Sequence, residues 1–167
     1  MKIPICQMCA ATEFLCSGCA AKLAKGTLSQ ADVDASRALY ALNRQGADLD
    51  GVELVRAIDA KRLAYLFLNS PESRLVGPQG RTIRKLEKLM KSTHVRAVRL
   101  GKGPLELAGE ILFPAKVLGI NKAYSAGGET LKVRTAKRDA VKLPSDLESL
   151  GGVLQFALGK KCKITFE

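Results

Sequence analysis

Cys6, Cys9, Cys16 and Cys19 form two C-x-x-C pairs close to the start of the chain. Thiolates in this pattern are metal ligands. Each pair presents two sulfurs to one side of a tetrahedral ion, and the intervening residues are just numerous enough to bring the second pair to the other side. The expected occupant is one structural Zn²⁺ held by all four. An iron–sulfur cluster is the alternative that four cysteines also permit. The start Met1-Lys2-Ile3-Pro4 lacks the apolar run of a secretory leader, so a reducing cytoplasm is expected and disulfides are not. No βαβ pattern surrounds either pair, which argues against a thioredoxin-like redox role. About twenty-five residues cannot bury a core. Metal binding would therefore supply the folding energy of residues 1–26, on the order of 10–16 kcal/mol apparent at neutral pH.

The 167 residues include 27 Lys and Arg against 16 Asp and Glu, a formal charge of +11. That excess selects an anionic partner, nucleic acid before an anionic membrane. No apolar run approaches the ~18 residues of a membrane span, and no membrane partner is expected. The charge is also concentrated. Residues 29–60 hold Asp32, Asp34, Asp48, Asp50, Glu53 and Asp59 against Arg37, Arg44 and Arg56. Residues 74–102 hold Arg74, Arg81, Arg84, Lys85, Lys88, Lys91, Arg96, Arg99 and Lys102 against Glu87 alone.

The elements that position this charge can be read from caps and periodicity. Ser29 and Asp32 make a capping box for a helix over 30–44. Val52–Ile58 and Leu63–Leu68 read as strands, the second apolar enough to be buried. Ser70-Pro71 reads as the N-cap and first position of a two-turn helix that stops at Gly77. Gly77-Pro78-Gln79-Gly80 then opens a helix from Arg81 to about Ser92. Its Ile83, Leu86, Leu89 and Met90 face one side, and Arg81, Arg84, Lys85, Lys88 and Lys91 the other. Val95–Leu100 is a strand. The order is helix, strand, strand, helix, G-x-x-G, helix, strand.

With that order around it, the G-x-x-G at Gly77 and Gly80 resembles the loop of a type II K-homology (KH) domain. The resemblance implies that Gly77, Pro78, Gln79 and Gly80 clamp the backbone of about four single-stranded nucleotides. Absent side chains would let phosphates approach, and the next helix would offer free N–H groups and its positive dipole end. Arg81, Arg84, Lys85 and Lys88 would complete the clamp. Pro78 departs from the basic or polar residues usual in the middle of such loops, bringing neither charge nor N–H.

The last third repeats the theme. Leu105–Ile111 reads as a helix, 112–121 leads into a strand, and Thr130–Thr135 alternates Leu131 and Val133 with Lys132 and Arg134. Ser145 and Glu148 read as a capping box, Gly151-Gly152 as a break between two short helices, and Lys161–Phe166 as a strand with Cys162, Ile164 and Phe166 on one face. Residues 29–167 are similar to the tandem KH region of NusA-family transcription factors, in which a Pro-Ala-Lys-Val segment, here 114–117, likewise opens the second KH domain. The cysteine module resembles the amino-terminal addition of archaeal NusA-like proteins. Without a G-x-x-G, the second KH domain is expected to be degenerate and mainly structural, or to contact protein or an RNA helix by shape.

The expected architecture is thus α+β: a four-cysteine zinc module over 1–26, a type II KH domain over 27–102 and a degenerate one over 103–167. His94 stands alone, Cys162 reads as a core thiol, and Gly101-Lys102-Gly103 lacks the rest of a P-loop. The carboxylates are scattered, so a non-enzymatic role is expected. The resemblance implies a cytoplasmic RNA-binding factor of transcription elongation or termination, with nascent RNA and RNA polymerase as partners. A ribosome-associated factor on ribosomal RNA, or a protein-binding adaptor, could use the same parts.

Overall fold

The computed structural model describes residues 1–91 and 94–167, a mixed α+β chain with two three-stranded sheets. Residues 1–59 with 64–99 make one compact unit, and residues 60–63 with 100–167 make the other.

The first unit begins with two short helices, α1 (Gln7–Ala11) and α2 (Ser17–Ala24). The longer α3 (Gln30–Arg44) starts at the expected capping box: Ser29 Oγ accepts from the Asp32 N–H, and Asp32 Oδ2 accepts from the Ser29 N–H at 2.8 Å. Asp32 is buried and also ties the helix to the sheet. Its Oδ1 accepts from the Ala57 N–H at 2.6 Å, and Arg56 Nε lies 3.5 Å from Oδ2. A buried carboxylate is tolerated when donors and a cation satisfy it in this way.

Strands β1 (Leu54–Ala60), β2 (Leu63–Leu68) and β3 (His94–Arg99) form a sheet with β2 in the middle. Every residue of β2 is buried, and Ala64, Leu66 and Leu68 share a core with Leu39, Leu42, Leu75 and Leu86. Between β2 and β3 lie α4 (Ser73–Val76), a 3₁₀ turn over Pro78–Gly80 and α5 (Arg81–Met90). The start expected at Ser70-Pro71 is displaced. Ser70 is buried with its hydroxyl accepting the Glu53 N–H at 3.1 Å, so it is not free to cap, and Glu72 stands at the cap of a single turn instead. Lys91 takes a left-handed conformation and stops α5 after Met90. The end expected at Ser92 lies outside the described residues.

The second unit runs α6 (Pro104–Leu112), β4 (Val117–Ser125), β5 (Gly128–Thr135), a 3₁₀ segment (Lys137–Lys142), α7 (Leu147–Leu158) and β6 (Lys161–Phe166). β5 is central, antiparallel to β4 and parallel to β6. Two expectations fail here. Ser145 and Glu148 do not cap; Asp146 does, its carboxylate accepting the Ser149 N–H, while Ser145 Oγ donates to the Ala60 carbonyl at 2.6 Å. Gly151-Gly152 does not break the helix either: α7 passes through both residues, and one helix stands where two were expected. Each interior glycine costs about 1 kcal/mol relative to alanine, a loss that burial of Leu150, Val153 and Leu154 outweighs. Cys162 shares its face with Ile164 and Phe166 as read, but it is half-buried at the strand's margin rather than enclosed.

Candidate metal centre and basic loop

The two C-x-x-C pairs are built alike. Cys6 and Cys16 are the N-caps of α1 and α2, and Cys9 and Cys19 sit one turn further on, so each short helix start turns two sulfurs toward the same point. All four Sγ atoms lie within 4.8 Å of one another, with Cys6 3.3 Å from Cys9 and 3.9 Å from Cys16. A tetrahedral thiolate shell with bonds of about 2.3 Å has edges of about 3.8 Å. The four cysteines could therefore hold a metal ion with little movement.

Backbone N–H groups already point at the sulfurs, that of Cys16 at Cys9 Sγ (3.0 Å) and that of Cys19 at Cys16 Sγ (3.5 Å). The Cys19 N–H, aided by the Cys9 and Cys19 side chains, brings the Cys16 thiol down to about 6. At Cys9 the Cys16 N–H also pulls downward, but burial and the neighbouring sulfurs prevail and push it up to about 12. The cluster thus resists carrying four thiolates by itself, and a cation among them would remove that resistance. Cys9 and Cys19 are buried with Ile5, Ala10, Leu28 and Val33, and Arg37 Nε from α3 donates to the Cys9 carbonyl at 3.2 Å. The cysteine segment therefore packs on α3.

The second feature is the loop before α5. Gly77, Gln79 and Gly80 all have positive φ, and the Gly80 N–H closes the turn onto the Gly77 carbonyl at 3.2 Å. Glycine at 77 is a steric requirement, because a Cβ there would lie 2.2 Å from Thr82 Oγ1. Pro78 and Gln79 lie at the tip, with Gln79 exposed. Behind them α5 begins at Gly80 with no side-chain cap and no acidic residue in its first turn. Arg81, Arg84, Lys85 and Lys88 follow along the helix and make no ion pair among the described residues. Glu87, on the same helix, is drawn away: its Oε1 accepts the Val95 N–H at 2.9 Å and lies 3.8 Å from His94 Nδ1.

No protein-family model matches the chain, and no curated protein matches it. Its fold has a solved counterpart. The crystal structure of APE1850 is similar with a TM-score of 0.56 at 16% identity, over 78% of this chain and 96% of that one. At that identity the likeness is one of fold alone.

The candidate metal and RNA-binding residues read from the sequence fall into these two groups, Cys6, Cys9, Cys16 and Cys19 in one and loop plus basic helix in the other. Sequence reading missed Arg37 as the clamp on the cysteine segment and Thr82 as the reason for Gly77. Neither leaves a signal in spacing, because both act through long-range or loop geometry. Leu89, read as part of the apolar face of α5, is 38% exposed.

Proposed function

We propose that this chain is a non-enzymatic RNA-binding protein made of two type II KH-like units, with one Zn²⁺ at Cys6, Cys9, Cys16 and Cys19. Single-stranded RNA lies with its phosphates over Gly77–Gly80 and along Arg81, Arg84, Lys85 and Lys88. The observation that supports this most is the uncapped start of α5, behind a surface loop and beside cations that no carboxylate neutralises among the described residues. The Arg81 N–H is bonded to the Pro78 carbonyl, but no side chain caps the rest of the first turn, and the helix dipole and a stripe of four cations leading from it lie where an anion can reach them. With no Trp in the chain, grip on phosphate outweighs base stacking.

The resemblance of residues 29–167 to NusA-family tandem KH regions supports a place in transcription elongation or termination, on nascent RNA beside RNA polymerase. Anisotropy titration with single-stranded RNA tests the loop. Pro78→Asp with Gln79→Asp, both at the loop tip, should abolish most binding without changing the fold, and full affinity in that variant would refute the reading. Purification with native partners tests the process: polymerase and nascent transcripts support it, and ribosomal RNA with ribosomal proteins refutes it.

A further inference from the structure

The second unit has no loop of this kind, yet its sheet sorts its charges unevenly. Register places Leu131, Val133, Cys162 and Ile164 on one face, and Lys132, Arg134, Lys161, Lys163, Thr130 and Thr165 on the other. The first face is the covered one, with Val133 fully buried and Leu131 nearly so. On the second, Lys132, Lys161 and Lys163 are exposed.

The two faces treat their cations differently. At the rim of the covered face, Lys122 and Lys160 both approach Glu129, at 3.7 and 2.7 Å. On the open face Arg134 is engaged with Glu167 at 3.5 Å and lies over Gly119, whose missing side chain leaves it room. Lys132, Lys161 and Lys163 make no ion pair among the described residues. Lys132 and Lys163 are moreover direct cross-strand partners. Like charges set opposite one another destabilise a sheet, so this arrangement is unfavourable until an anion lies across it. Cross-strand neighbours stand about 4.8 Å apart and alternate residues of one strand about 6.7 Å, which makes a flat array of point charges on the scale of a sugar–phosphate backbone. Thr130, Thr165 and Asn121 add hydroxyl and amide donors, and Asn121 is the register partner of Lys132 on β4. The face carries no aromatic residue to stack a base.

We infer that the open face of the second sheet is a second RNA-binding surface that grips the phosphate backbone without reading sequence, through Lys132, Lys161 and Lys163. The choice of RNA among polyanions rests on the function proposed above; the surface itself does not depend on the loop.

The test uses the whole 167-residue chain, purified with zinc present, and a fluorescein-labelled, mixed-sequence single-stranded RNA. Replacing Lys132, Lys161 and Lys163 together by Gln should weaken binding about tenfold at low salt. It should also make the log–log salt slope shallower by about 2, at about 0.7 per phosphate neutralised. Lys132→Glu separates binding from folding, because it turns the repulsive pair with Lys163 into an attractive one. Affinity should fall while the melting temperature holds or rises. If the triple variant binds with unchanged affinity and slope while Pro78→Asp/Gln79→Asp does not bind, the sheet inference is overturned and the loop reading stands. If the triple variant is weak and the loop variant is not, the inference stands and the loop reading falls. Loss of binding to phosphatidylserine vesicles with RNA affinity intact would assign the face to membranes and overturn the inference.

Discussion

The two units run through the same sequence of elements, helix, two strands, a helical segment and a last strand, and differ in how the helical segment begins. In the first it is cut by Gly77–Gly80 into α4 and α5, and α5 starts with no side-chain cap. In the second, α7 is unbroken and its start is filled from within. Asp146 accepts from the Ser149 N–H at 3.1 Å and from Ser149 Oγ at 2.9 Å, Glu148 follows it, and Lys61 Nζ lies 3.2 Å away. A helix start that already holds a carboxylate repels a phosphate, whereas one that holds none attracts it. Likeness of element order therefore does not carry likeness of site. The property that would bind an anion sits in four residues of loop and a missing cap.

The largest difference between the units should be their dependence on metal. If the proposed zinc is bound, removing it with a chelator should unfold the cysteine segment, whose Ile5, Cys9, Ala10 and Cys19 depend on its closure, at an apparent cost on the order of 10 kcal/mol. Amide exchange should rise across α1 and α2 and stay unchanged across β4, β5 and β6. Elemental analysis should give one zinc per chain, and none after Cys16→Ser with Cys19→Ser. Iron with acid-labile sulfide in place of zinc would replace the proposed occupant, and unaltered metal content in the double variant would remove these cysteines from the site.

Next in size is the effect of glycine, and here the units should respond with opposite signs. Gly77→Ala adds a Cβ 2.2 Å from Thr82 Oγ1 at a φ of +69, so it should destabilise the first unit by about 1–3 kcal/mol. Gly152→Ala adds a methyl into open space inside a regular helix and should stabilise the second by about 0.5–1 kcal/mol. Denaturant titration of each variant measures both. A stabilised Gly77→Ala chain would mean that the loop does not hold this conformation, and the contrast between the two helix starts would lose its basis.

Legibility from sequence followed the range of the interactions. The Ser29–Asp32 box, the burial of Leu63–Leu68 and the pairing of cysteines depend on neighbours a few residues away, and all appear where the residue types place them. The sites that read differently are those where a distant partner decides. Ser70 looks like a cap until the Glu53 N–H takes its hydroxyl, and Ser145 looks like one until Ala60 does. Gly151-Gly152 looks like a break because helix propensity counts only local cost, while Leu150, Val153 and Leu154 offset it by burial. The cysteine cluster was legible as a ligand set, and its seat on α3 through Arg37 was not, since nothing in the spacing links residue 37 to residue 9.

The smallest effect is one of pH, and it belongs to the second unit. Asp146 is held well below the usual carboxylate range by the Ser149 N–H first, then by the Ser149 hydroxyl and by Lys61. Asp139 is lowered mainly by Lys142 and by the Lys116 N–H, and Glu129 mainly by Lys160. A carboxylate whose pKa is depressed in the folded state stabilises it fully above its unfolded value, near 3.9 for Asp, and that contribution is lost as pH falls through the folded value. The second unit should therefore weaken progressively below about pH 4. Asp146→Asn keeps a good N-cap while removing the titrating charge, so it should cost little at pH 7 and flatten the decline in acid. The readout must be confined to β4, β5 and β6, because acid would also protonate the cysteines and release any metal they hold in the first unit. Amide exchange at β5, measured at pH 7 and again below pH 4, provides it. A decline as steep in Asp146→Asn as in the parent would show that the cap carboxylate is not what couples this unit to acid.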